Sequence, residues 1–139
     1  MNTLQLLKCA PLLLLGCIGA ARADVVVVVS AQSKVATLTK DQVSELFLGG
    51  TKEFPAGGTA LLVSTGGPVR DEFYSKVLGK DAAQVKAVWS RLIFSGKGTA
   101  PRELGDAGEV KKLVSTNPST IGFIDKSAVD ASVKVVYAP

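Results

Sequence analysis

The chain has 139 residues, with 16 lysines and arginines against 12 aspartates and glutamates, two cysteines and no histidine. Both cysteines, Cys9 and Cys17, lie close to the amino terminus. Beyond residue 17, disulfides, thiol nucleophiles and cysteine metal sites are excluded, and histidine is absent both as a general base and as a metal ligand.

In chain order, Lys8 precedes an apolar run at residues 9–20, which is followed by Ala21-Arg22-Ala23. A positive start, an apolar stretch and small residues before a cleavage point form the layout of a secretory signal peptide. The run is shorter than the ~20 apolar residues a membrane span needs. Residues 1–23 are therefore read as a signal peptide, and residues 24–139 as one domain working in the bacterial periplasm. One rival reading is a buried N-terminal helix. Another is a lipid anchor, because Leu14-Leu15-Gly16-Cys17 resembles a lipobox in which Cys17 would be acylated. Leu15 is unusual at its place there, and Ala21-Arg22-Ala23 fits simple cleavage. The remaining 116 residues suffice for one domain with one core. They carry 14 basic against 12 acidic residues, with scattered lysines and no basic stripe interleaved with aromatics. Nucleic acid is thus not an expected partner.

Five consecutive valines, Val25 to Val29, read as a strand buried on both faces. Thr39 is placed as a helix N-cap with Gln42 at the capping-box position, and Leu38 and Val43 as a hydrophobic staple. Val43, Leu46 and Phe47 form that helix's apolar face, and Gly49-Gly50 ends it. A short strand at residues 60–63 is followed by the turn Thr65-Gly66-Gly67-Pro68. The next helix carries Val69, Phe73 and Val77 on one face and stops at Gly79. A third helix, capped by Asp81 and Gln84, places Val85, Val88, Trp89, Leu92 and Ile93 at helical spacing. Trp89 and Phe94 are expected in the core. Ser95-Gly96-Lys97-Gly98 reads as a helix stop rather than a ligand loop, and a loop through Pro101 follows. A fourth helix at residues 106–115 presents Val110, Leu113 and Val114. Residues 121–124 and 133–137 read as the last strands. Alternating strands and helices predict an α/β domain with helices on both faces of one sheet.

The candidate site is the turn from the second strand into the second helix. Ser64 and Thr65 offer hydroxyls, Gly66 and Gly67 allow close approach to the backbone, and Arg70 lies on the first helical turn. Free amides and the helix dipole favour an anion there, and arginine donates a forked pair of hydrogen bonds. Pro68 removes one amide donor. An ordinary turn with a surface arginine is the plainer alternative. Ser30 and Ser33, after the first strand, are further candidates. Asp71 and Glu72 are adjacent and point to different helix faces, so they are not a catalytic pair. No nucleophile stands beside a base, and no metal-ligand or cofactor-binding spacing occurs, so an enzyme is not expected.

At several of these places the sequence resembles a known family. Residues 38–49, 70–79 and 118–123 look like segments of the periplasmic phosphate-binding proteins of ABC transporters. Residues 89–98 look like a hallmark of the short, PstS-like branch of that superfamily. The resemblance spans nearly all of residues 25–137. It implies a single lobe of a type 2 periplasmic-binding-protein fold, with a mixed central sheet flanked by helices. It also implies phosphate or a related oxyanion as ligand and a link to a transporter. Two departures accompany it: the chain is about half a two-lobed member, and the family's Ser-Gly-Thr anion loop is replaced by Thr65-Gly66-Gly67-Pro68, with Arg70 kept. The leading expectation is weak oxyanion binding at Ser64, Thr65, Gly66, Gly67 and Arg70, for uptake or sensing. The alternative is a protein-interaction module that kept the fold and lost the ligand, meeting another periplasmic or membrane protein through the surface around Ser30, Thr65 and Phe123.

Overall fold

The computed structural model describes residues 24–139, so the leader, the cleavage point after Ala23 and the lipobox at Cys17 lie outside the described residues. The valine run forms β1 (Val25–Ser30), and all six of its residues are buried. Val25, Val27 and Val29 join one core cluster, while Val26 and Val28 join a second on the other face. That is why polar residues do not alternate with valine: neither face of the strand meets water.

The remaining strands are β2 (Leu61–Thr65), β3 (Arg102–Leu104), β4 (Thr120–Asp125) and β5 (Val133–Tyr137), in the spatial order β3-β2-β4-β1-β5. β2 runs parallel to β3 and β4, whereas β1 pairs antiparallel with β4 and β5. The sheet is therefore mixed.

One face is covered by α1 (Lys40–Phe47), α2 (Pro68–Phe73) and α3 (Ala82–Phe94); the other is covered by α4 (Ala107–Thr116). The caps behave as read. The Gln42 amide donates to Thr39 Oγ1 at 3.1 Å, and Gln42 Oε1 accepts from the Thr39 amide at 2.9 Å. Asp81 and Gln84 repeat the exchange at the start of α3. Each pair satisfies amides that a helix start otherwise leaves without partners. Gly122 lets α4 settle onto β4: a Cβ there would lie 2.7 Å from Val63 Cγ2 and 3.0 Å from Val110 Cγ1.

Three details differ from the sequence reading. The second helix does not stay α-helical to Gly79; residues Tyr74–Leu78 form a π-helical turn. The wider turn brings Phe73 and Leu78, five residues apart, onto the same buried side. The loop after Pro101 contains the edge strand β3, too short for a periodicity signal. Finally, α3 buries Val85 and Trp89, but Ile93 is 51% and Phe94 is 95% exposed. Phe94 is thus not core. In the last turn of α3, Leu92 still packs on the core, while Ile93 and Phe94 turn away from it.

Candidate functional site

The C-terminal end of β2 delivers Ser64 and Thr65, both buried. Successive strand residues point to opposite faces, so the two hydroxyls do not act together. Ser64 faces a cavity of about 360 Å³ that it lines with Arg70, Tyr74, Lys86, Trp89 and Glu103, whereas Thr65 does not line it. Gly67 caps α2 with φ 78, a value side chains rarely adopt, and Pro68 occupies the first turn. The turn therefore needs a glycine at this point whether or not a ligand visits.

Arg70 stands with its guanidinium 5.9 Å from the centroid of the Tyr74 ring, a cation–π distance. Its Nε and Nη2 donate to Asp71 Oδ1 at 3.4 Å each. Those bonds are longer than well-formed N–H···O bonds, and its side chain is 32% exposed, so the fork is free to turn to another acceptor. Burial pushes the Tyr74 phenol above its ordinary value; the Arg70 charge opposes that shift, and Glu103 and Asp71 add to it. Tyr74 is accordingly a neutral hydroxyl at ordinary pH, able to donate.

Glu103 is the site residue that sequence reasoning missed. β3 pairs in register with β2, setting Glu103 beside Ser64. Its Oε1 would be 3.5 Å from a Cβ placed on Gly66. The glycine turn is thus free of acids in sequence but faces a carboxylate in space. The pocket combines two cations, Arg70 and Lys86, with one acid and the hydroxyls of Ser64, Tyr74 and Ser90. Such a set suits a small anion held by Arg70, Lys86 and the hydroxyls, with Glu103 standing beside it as a like charge.

Ser30 and Ser33 do not join this pocket. Val29 is level with Ile121, and Leu61 with Thr120, so Ser30 lies at the end of the sheet where β2 begins. The anion turn lies at the other end, where β2 stops. The serine hydroxyls accept from the Gln32 and Val35 amides at 3.2 Å each, and the Ser33 carbonyl accepts from Lys134 Nζ at 2.6 Å. Both serines shape the turn after β1. The expected common surface around Ser30, Thr65 and Phe123 does not form, because β1 runs opposite to β2. Among the described residues no cluster of three or more acidic, histidine or cysteine side chains is placed to hold a metal, and no helix is long and apolar enough to cross a membrane.

Solved structures share this fold. One is described as a phosphate ABC transporter substrate-binding protein from Clostridium perfringens with bound phosphate. It matches with a TM-score of 0.65 and 24% identity, over 81% of this chain and 44% of that one. An ABC-type phosphate transport receptor from Vibrio cholerae matches at 0.63 and 20%, over 81% and 45%. PstS from Borrelia burgdorferi matches at 0.59 and 12%, over 81% and 46%. The chain thus has the fold of a single lobe of a periplasmic binding protein, and spans less than half the length of each of these structures. No protein-family model matches it, and no curated protein sequence matches it significantly.

Proposed function

We propose that the domain binds a small oxyanion, phosphate or a close relative, in the pocket between β2, α2 and α3. It serves uptake or sensing outside the cytoplasm, as a binding protein rather than an enzyme. The observation carrying this reading is that Ser64, from the end of β2, and Arg70, from the first turn of α2, line one pocket, in a fold with a solved example that holds phosphate. The affinity expected of this lobe by itself is weak, because one lobe alone leaves the ion in contact with water, where charged contacts lose most of their strength.

Two variants with opposite signs test it. Removing a charged hydrogen bond costs about 1.5–3 kcal/mol, so Arg70→Ala weakens phosphate binding roughly tenfold to a hundredfold. A like charge ~4 Å away costs about 1 kcal/mol in water, so Glu103→Gln strengthens binding roughly fivefold. Both effects shrink as ionic strength rises. Calorimetric titration of parent and variants reads them. No heat and no thermal shift at millimolar phosphate ends the anion reading, and an unchanged affinity in both variants moves the anion elsewhere.

Export is part of the same proposal and is supported by the order of charge, apolar run and Ala21-Arg22-Ala23 in residues 1–23. The intact mass of protein from a periplasmic extract is expected to start at Asp24; a mass carrying diacylglycerol on Cys17 overturns simple cleavage.

A second reading, an interaction module, is favoured by one feature. Phe94 and Ile93 stand exposed at the end of α3, and Ile93 lines the same pocket. A phosphate titration that fails while the protein captures a partner through Phe94 selects that reading.

A further inference from the structure

The sheet edge changes character along β2. β3 pairs only with Val63, Ser64 and Thr65, so Leu61 and Leu62 extend past its start. A second cavity of about 470 Å³ lies there, with apolar walls that include Leu61, Leu62, Leu113 and Trp89. Lys52, Lys97 and Arg102 also line it, with no carboxylate among its lining residues. None of these three cations belongs to an ion pair among the described residues.

A buried polar atom marks the same place. Thr120 lines this cavity and is 1% exposed, and among the described residues its hydroxyl has no hydrogen-bond partner. A buried hydroxyl left unpaired is costly and rare. Its side chain shares the α4 side of the sheet with Leu61, since Thr120 and Leu61 are in register and two residues on Gly122 meets Val110 of α4. Arg102 is on that side too, in register with Val63, which packs in the α4 core.

We propose that this cavity is a second ligand site, for a small organic carboxylate with an apolar body, such as a short aliphatic or aromatic monoanion. The walls take the apolar body, Arg102 and the lysines take the charge, and Thr120 donates to the carboxylate. Inorganic phosphate lacks the apolar part that these walls would desolvate. The proposal stands independently of the anion pocket, although the two cavities share Trp89 as a wall.

Trp89 is the chain's single tryptophan, so its fluorescence reports on occupancy. Titrate the purified protein with hexanoate, and with hexanol and inorganic phosphate as comparators. Hexanoate is expected to give a saturable change that phosphate does not displace, at an affinity well above that of hexanol. Arg102→Gln weakens hexanoate about tenfold, the lower end for losing a charged hydrogen bond. Thr120→Val also weakens it, yet leaves the melting temperature unchanged or raised, because the hydroxyl has no partner to lose among the described residues. Arg70→Ala leaves hexanoate binding intact. The proposal is overturned by the absence of a saturable signal, by hexanol binding as tightly as hexanoate, by unchanged affinity in Thr120→Val, or by loss of binding in Arg70→Ala.

Discussion

Trp89→Ala is expected to destabilise the domain by roughly 3–5 kcal/mol, the range for deleting a large buried aromatic ring. Two separate losses combine. The ring is 7% exposed and fills the space under α3, where Gly98 has no side chain because a Cβ would come 3.3 Å from Trp89 Cζ3. The indole Nε1 also donates to the Phe47 carbonyl at 2.9 Å. Phe47 is the last residue of α1, and the final carbonyls of a helix have no intrahelical partner. Trp89 thus satisfies the end of one helix from the side of another. Urea melts measure the effect, and Trp89→Phe separates the two losses by keeping a ring without the donor. Coincident melts of Trp89→Ala and parent would show that the ring is not core.

Phe73→Ala should cost a similar amount, roughly 3–5 kcal/mol, for a different reason. Phe73 is fully buried, lies against Phe123 with ring centroids 4.1 Å apart and planes 11° apart, and meets Phe47 edge-on at 4.9 Å. Those three rings come from α1, α2 and β4, so the contact fixes α2 on the sheet. Aromatic pairs contribute about 0.5–1.5 kcal/mol beyond the area they bury. Because Arg70 and Phe73 share α2, the variant is expected to lower the urea midpoint and to weaken the phosphate binding proposed at Arg70. A midpoint within error of the parent's would mean that α2 is held by its turn rather than by its rings.

Much of the architecture could be read from local rules. The two capping boxes, the five-valine strand and the glycine stops each follow from hydrogen-bonding or steric needs within a few residues. What escaped depends on contacts across the sheet. β3 is three residues long and exists because Val63, Ser64 and Thr65 offer it an edge. Glu103 therefore enters the pocket through pairing, and no spacing in the sequence links it to Gly66. The only local hint is that Glu103 stands between two residues that face the other way. Ser30 and Ser33 were drawn to the site by their position after a strand, which is informative only when strands run in the same direction. Phe94 is expected in the core as an aromatic rather than as a stacking platform, and neither its type nor the helical periodicity before it says whether a sheet lies beneath that end of the helix. For the anion site, local reasoning reached Ser64 and Arg70 together; separating Thr65 from them required knowing that β2 is embedded in the sheet, with a core on each side.

The place of β1 has a consequence for how the chain reaches its fold. Among the described residues, β1 pairs only with β4 and β5, the last two strands. Some ninety residues must be synthesised before Val25 to Val29 find a partner. Contacts so distant in sequence slow folding, and an unpaired, uncharged valine run is the kind of segment that self-associates while it waits. Completion of the centre of the sheet thus waits on the carboxyl-terminal strands. Until those strands are made, the valine run depends on being shielded from other chains.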